Sequence, residues 1–351
     1  MQKNQKMIQS GIRKRSIAGK FCLNVIICAA IFAACMFVLS ACAPTYPKEK
    51  LPEAVKNVCK IEYDMNVDVT VVGNTMGIYY PMEGLLDVGL GIRKEAWEKI
   101  SNLLLIASRV VLSTDADIKF YCAIAQDERL PELQVVIIKY VEDVKRGMYR
   151  NISRSESFKR TLFNINLTPQ AEKERSIEKV FDKLSVEEGT RQKVMDEFFR
   201  SPPVKISDIG YWRGNFYLKN VTMEEFLAAQ IANRMKIDFR SEEDLAKMFR
   251  YKTAEGQFSS KEGRGQFIIK YKIADQVTGG AASDPKIKKL EEILYIANKV
   301  VYGYKFEEFD YLVLEDQLDN VKLRVREEDV FNFNKDKLTV EEIVQAPAGY
   351  F

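Results

Sequence analysis

KISNLLLIASRVV (residues 99–111) is the stretch that decides the fold, because its apolar residues recur with the spacing of one helical face. The pattern extends outward to predict a helix over 94–112. A second stretch, KLEEILYIANKVV (residues 289–301), matches it at a constant offset of 190 residues. The matched pairs are Lys99 with Lys289, Leu104 with Leu294, Ile106 with Ile296, Ala107 with Ala297, Val110 with Val300 and Val111 with Val301.

Each long helix occupies the same place in a repeated run of helix, strand, strand, long helix, strand, strand. This run predicts a first α/β module at 51–152, a helical middle segment at 153–204 and a second α/β module at 205–351. The expected fold class is therefore α+β, with two related modules around a helical middle.

A divergent internal duplication explains the match between the two helices. It predicts that Trp97 and Ile287 start their helices equivalently and that Tyr121 and Tyr311 take equivalent strand positions. The alternative is that any two core-facing amphipathic helices align to some degree when the offset is chosen freely.

The chain has 351 residues and contains no histidine. Catalytic systems that need an imidazole, such as Ser-His-Asp triads and Cys-His pairs, are therefore excluded, as are zinc sites with histidine ligands. No pair of CxxC motifs occurs, and no phosphate-binding loop of the form GxxxxGK[ST] is present. We expect neither a metal nor a cofactor.

The N-terminus combines a basic start with a long apolar run. Residues 1–20 contribute a charge of +6 and residues 21–41 carry no charge. The whole chain has a net charge of +3, so the remainder is at −3 and gives no electrostatic reason to expect nucleic-acid binding. The apolar run has two interpretations, a cleaved signal peptide and a retained membrane anchor.

Leu39, Ser40, Ala41 and Cys42 follow this run, and together they resemble the lipobox of bacterial lipoproteins. A second match, Phe32 to Cys35, is weaker because Phe stands where an aliphatic residue is usual. The resemblance implies a signal peptide at 1–41, recognised by the peptidase through Leu39, Ser40 and Ala41. It also implies a lipidated Cys42 and a tether at 42–50. The body would then be held by its N-terminal lipid on the exported face of a bacterial membrane, the outer membrane if the cell has one.

Two cysteines, Cys59 and Cys122, remain in the mature region beside Cys42. Both fall on predicted core faces of an exported chain. They form a candidate disulfide, and the alternative is two buried free thiols.

The segment from Tyr211 to Lys219 is the candidate binding surface. Its members are Tyr211, Trp212, Arg213, Asn215 and Tyr217, since aromatic rings beside Arg and Asn can stack on sugars. The alternative is a strand whose alternate aromatic side chains pack on the core, with Gly214 at a bulge.

The expected function is a non-catalytic envelope role in binding, assembly or scaffolding at the membrane, with an envelope protein or a glycan as partner. The alternative is an envelope hydrolase that uses a carboxylate pair, acting on glycan. An enzyme of that kind needs two acids that converge in a pocket with shifted pKa values, whereas a binding module needs an exposed complementary surface.

Overall fold

The computed structural model describes residues 45–89, 91–261, 263–276, 284–334 and 337–345. Helices and strands are interspersed along these residues, which confirms the predicted α+β class. The predicted signal peptide and Cys42 lie outside them. Among the described residues, no helix has both the length and the apolar character needed to cross a membrane.

The first module has the predicted order of elements. They are α1 (Leu51–Tyr63), β1 (Asp68–Val72), β2 (Thr75–Met82), α2 (Lys94–Leu112), β3 (Phe120–Asp127) and β4 (Leu130–Tyr140). The strands lie in the order β1-β2-β3-β4. The central pair β2 and β3 is parallel and the two outer pairs are antiparallel.

The middle of the chain differs from the purely helical segment that the sequence predicts. After α3 (Val141–Met148), which ends the first module, its elements are α4 (Arg154–Lys159), β5 (Leu162–Leu167), α5 (Pro169–Leu184) and α6 (Glu188–Phe198). β5 pairs antiparallel with β4 and becomes the fifth strand of the first sheet. The strand escapes prediction because the short apolar alternation of an edge strand is surrounded by dense charge.

The second module follows a short hairpin. Its elements are β6 (Gly210–Trp212), β7 (Asn215–Tyr217), α7 (Met223–Ser241), α8 (Glu243–Met248), β8 (Phe249–Lys261), β9 (Arg264–Asp275), α9 (Pro285–Gly303), β10 (Tyr311–Asp316), β11 (Val321–Arg326), α10 (Glu327–Asn334) and α11 (Val340–Gln345). The four-stranded sheet has the order β11-β10-β9-β8, with β9 and β10 parallel and both outer pairs antiparallel. The two modules therefore share strand order and pairing sense, as a duplication predicts.

Helix α7 joins the modules because it is buried around most of its circumference. The Thr222 hydroxyl caps its start by accepting a hydrogen bond from the Glu225 backbone N–H. Phe226 and Ile231 belong to one continuous core with residues of both sheets, such as Phe120 and Phe267. The first sheet is thus covered on one face by α1 and α2 and on the other by α7.

The predicted equivalence of Tyr121 and Tyr311 is wrong. Tyr121 faces α2, where its hydroxyl lies 2.8 Å from that of Ser108. In the second module Leu312 packs in the core with α9. Because side chains alternate along a strand, the neighbouring Tyr311 points to the opposite face of the sheet. There the Arg324 guanidinium lies 3.6 Å from the centroid of the Tyr311 ring. The buried residues of α2 correspond to those of α9 at an offset of 190, but the residues of β3 that pack with α2 correspond to the residues of β10 that pack with α9 at an offset of 191. Trp97 is the fourth residue of α2, whereas Ile287 is the third residue of α9. The predicted equivalence of these two helix starts is therefore off by one position.

The candidate disulfide is not formed. Cys59 and Cys122 are both free and buried. Cys59 packs in the core between α1, α2 and the first sheet, whereas Cys122 belongs to the core on the opposite face of that sheet. The sheet itself separates the two sulfur atoms.

Candidate functional site

The aromatic segment predicted as a binding surface forms the β6–β7 hairpin. Arg213 and Gly214 form its two-residue turn with φ angles of 49° and 78°, the conformation of a tight hairpin turn. Tyr211 is buried and stacks on Tyr79 of the first sheet, with ring centroids 3.6 Å apart. Tyr217 is also buried.

The remaining members of this segment contact α5 or the solvent. Trp212 donates its indole N–H to Glu174 Oε2 at 2.5 Å, and Arg213 pairs with the other oxygen of the same carboxylate. Asn215 is exposed and donates to the Arg213 carbonyl at 3.0 Å. The structure brings the five residues together, but it uses most of their side chains in contacts within the protein.

A cleft of about 360 Å³ lies between the two modules. Its floor is one face of α7, which presents Glu225, Ala229, Ala232, Asn233 and Lys236 at helical spacing. One wall is formed by β4 and β5 of the first sheet and the other by β8 of the second. The segment 204–207 completes the rim. This volume lies within the range of about 300–1,000 Å³ that is usual for small-ligand sites.

Small residues bring the second sheet and the helix close together at the cleft. Ala229 and Ala232 leave space over the floor of the cleft. Gly256 on β8 faces the backbone of Ala228, and a Cβ atom at Gly256 would overlap the carbonyl oxygen of Ala228. A glycine at this point therefore allows α7 to lie directly on β8.

Two ion pairs occupy the end of the cleft near the start of α7. Lys205 Nζ lies 2.6 Å from Glu255 Oε1, and this hydrogen bond holds the pKa of Glu255 below its ordinary value. Lys219 Nζ lies 2.5 Å from Glu225 Oε1. The second oxygen of Glu225 is buried and accepts no hydrogen bond from the residues that the structure describes.

Lys236 lies at the opposite end of this face of α7. Its ammonium makes no ion pair or hydrogen bond with the described part of the chain. Burial, with the nearby charge of Arg240 as a second cause, lowers the pKa of Lys236. An anionic group that entered the cleft would supply the missing partner and offset the desolvation of the ammonium.

β8 contributes its edge to the cleft. Residues 254–258 line it consecutively, so the strand presents its backbone as well as alternate side chains. Among the residues that the structure describes, β8 is the last strand of its sheet and pairs only with β9. Because consecutive residues of β8 line the cleft, we infer that this free edge, with its backbone N–H and C=O groups, borders the cleft.

The acids of the cleft do not form the catalytic pair that the hydrolase alternative requires. Glu225 and Glu255 each already bind a lysine. The described acid with a raised pKa is Asp143, where burial is the main cause, and it lies outside the cleft in contact with Arg160 and Tyr304. Within the described ranges no three Cys, Asp or Glu side chains are grouped to hold a metal ion.

Sequence reasoning did not find Lys236, although the pattern of Ala229, Ala232, Asn233 and Lys236 along one predicted helix carries a signal. Small residues beside a cation along one face of a helix whose other faces carry core residues indicate an opening in the packing. No protein-family model, curated protein or solved structure matches this chain. Function is therefore inferred from the cleft and from the N-terminal sequence.

Proposed function

We propose that the mature protein is a lipid-anchored binding protein of the bacterial cell envelope, with Cys42 as the lipidated residue. Its partner is an envelope component that enters the cleft on α7. The observation that carries this proposal is the unpaired Lys236 in a cleft of ligand size.

The cleft favours binding over hydrolysis. A hydrolase of the carboxylate type needs one acid that stays protonated near neutral pH and a second acid facing it. Here each of the two cleft carboxylates is already paired with a lysine ammonium, and the hydrogen bond from Lys205 lowers the pKa of Glu255. The cation without a partner, by contrast, offers a ligand a place to bind.

The start of the described chain supports a short tether. The Tyr46 N–H donates to the Ser113 carbonyl at 3.2 Å, and the Lys48 N–H donates to Asp115 Oδ1 at 2.7 Å. The chain between Cys42 and Tyr46 spans at most about 14 Å. A lipid on Cys42 would therefore hold the body close to the membrane, on the side where α2 ends.

Lipid attachment is tested by growing bacteria that produce the full chain with labelled palmitate. We expect label in the wild-type chain and in Cys35→Ser, and no label in Cys42→Ser. Label that persists in Cys42→Ser would contradict the assignment of Cys42.

Occupation of the cleft is tested with a photo-crosslinking amino acid placed at Ala229 in the full chain, in living cells. The matched control is the same group at Lys272, an exposed position on β9 outside the cleft. We expect an adduct at Ala229 and none at Lys272. Equal yields at both positions, or none at Ala229, would count against a ligand in the cleft.

A further inference from the structure

The free edge of β8 is the part of the cleft that indicates what kind of ligand it takes. No second strand pairs with this edge in the described residues. Backbone N–H and C=O groups at such an edge are satisfied by water or by another extended chain. An added strand supplies donors and acceptors at the matching spacing.

We propose that the cleft binds an extended peptide segment, which adds as a strand to the edge of β8 and places its C-terminal carboxylate on Lys236. This inference rests on the proposed binding function and names the chemical class of its ligand. A glycan or an acyl chain would leave the regularly spaced backbone groups of β8 without matching partners.

The direction of the peptide follows from how α7 crosses β8. Ala228, in the first half of α7, contacts Gly256. Near the other end of the helix, the guanidinium of Arg240 lies 4.9 Å from the ring centroid of Tyr251. The helix and the strand therefore run in opposite directions. A peptide antiparallel to β8, the more common arrangement in sheets, would run with α7 and end beside Lys236.

The length of the cleft sets the length of the bound segment. Glu225 and Lys236 are three turns apart on α7, which corresponds to about 16 Å along the helix axis. An extended chain covers this distance with about five residues. The ion pairs of Glu225 and Glu255 would lie near the N-terminal end of the peptide.

The walls of the cleft select the side chains of the segment. Ala229 and Ala232 form the floor, and Ile138 and Leu162 line the wall from the first sheet. Side chains of an added strand alternate between the two sides, so the residues that face the floor should be small and apolar. Asn164 lines the same wall and makes no side-chain hydrogen bond within the described ranges, so it can serve a polar group of the ligand.

The test uses the full-length chain, purified from membranes in detergent, on two arrays of acetylated hexapeptides built from Ala, Val, Ser and Thr. One array ends in free carboxylates and the other in carboxamides. We expect retention on a subset of the carboxylate peptides and a loss of about tenfold or more on the matching amides, the scale of a charge-assisted contact. Lys236→Gln should abolish the difference between the arrays, whereas the control Lys272→Gln should preserve it.

A scan of N-methyl groups along the best peptide tests strand addition separately. Only alternate N–H groups of an edge-added strand face β8, so methylation should weaken binding at alternate positions. Uniform tolerance of methylation, equal binding to both arrays, or retention on neither would overturn the inference.

The crosslink at Ala229 separates failure of this inference from failure of the proposed function. A peptide or protein that is crosslinked through its C-terminal segment agrees with the inference, whereas attachment through any other part of a protein would overturn it. An adduct that contains no amino acids beyond the chain itself would overturn the peptide assignment and leave the binding function in place. The absence of any adduct would count against both.

Discussion

The backbone of Gly256 lies directly on the carbonyl group of Ala228, and no side chain fits between them. This contact sets the distance between α7 and β8 and so forms one side of the cleft. A methyl group at this point must push helix and strand apart, because overpacked positions relax only partly.

Gly256→Ala should therefore lower the free energy of unfolding by about 1–3 kcal/mol. The matched control is Gly189→Ala, on the exposed helix α6, where nothing lies within 4 Å of an added Cβ. That change should be neutral or stabilise the protein by up to about 1 kcal/mol. Urea unfolding followed by circular dichroism measures both. Equal stability of the two variants would mean that α7 and β8 are not in close contact.

The hairpin segment should behave as part of the core rather than as a binding surface. Tyr211→Ala removes the ring that stacks on Tyr79 and should cost about 3–5 kcal/mol. Asn215→Ala, at an exposed position of the same hairpin, should change stability by less than about 0.5 kcal/mol. Thermal unfolding of both variants checks this. A small effect for Tyr211→Ala would return this segment to the candidates for an exposed binding surface.

The partly buried carboxylate of Glu156 holds α4 to the central helix α7. Arg160 Nε and an Arg234 guanidinium nitrogen each donate to Glu156 Oε1 at 2.8 Å. Burial raises the pKa of Glu156, but these two arginines outweigh it and hold the pKa below its ordinary value. A folded-state pKa below the unfolded one contributes stability above the unfolded pKa, and this contribution is lost as pH falls through the folded pKa.

Glu156→Gln should thus be less stable at neutral pH, by an amount on the order of 3 kcal/mol, since the buried Arg234 loses its charged partner and Arg160 keeps only Asp143. The difference from wild type should shrink as the solution is acidified toward the folded-state pKa. Urea unfolding over a pH series measures it, with the exposed Glu98→Gln as the control. A difference that stays constant or grows on acidification would contradict this role for the Glu156 charge.

The two mature cysteines should be free thiols that react only after unfolding. Burial, with a smaller contribution from the charge of Glu62, raises the pKa of the Cys59 thiol to about 11. Burial also raises the pKa of Cys122. A thiol in this state is a poor nucleophile at neutral pH. We expect no iodoacetamide modification of the folded protein and two modified thiols, Cys59 and Cys122, after unfolding without reductant. A disulfide-linked peptide pair in protein from native membranes would contradict the arrangement of the two cores.

Much of the fold can be read from the sequence because its elements are locally encoded. The apolar stripe predicts the helix over 94–112, and the structure places α2 at Lys94–Leu112. Gly73 and Asn74 form a two-residue hairpin turn between the paired residues Val72 and Thr75, and a Gly-Asn pair between two alternating strands is typical of such turns. These signals depend on residues a few positions apart, so tertiary contacts do not override them.

The rest of the fold depends on contacts between distant residues. β5 is stabilised as a strand by the edge of β4, which its own sequence does not show. Tyr121 and Tyr311 align in the sequence, but their side chains point to opposite faces of their sheets. The reason is that the second module has one more residue between equivalent positions of the long helix and of the strand that follows it. A shift of one position turns every side chain of a strand to the opposite face.

The cleft could not be predicted because it exists only where α7 meets both sheets. Lys236 resembles any other charged residue of an amphipathic helix until β5 and β8 are placed beside it. The segment from Tyr211 to Lys219 resembles an exposed binding surface in sequence because its aromatic residues are clustered, yet Tyr79, distant in sequence, covers one of these rings.

The dependence of cleft occupancy on the Lys236 charge tests the central claim most directly. The measurement is the yield of the Ala229 photo-crosslink in living cells, compared between chains with wild-type Lys236, with Lys236→Gln and with Lys272→Gln. We expect the Ala229 adduct to fall about tenfold in Lys236→Gln, because the ligand loses its charged partner, and to stay unchanged in Lys272→Gln. An adduct of equal yield in all three chains would contradict a binding site built around Lys236.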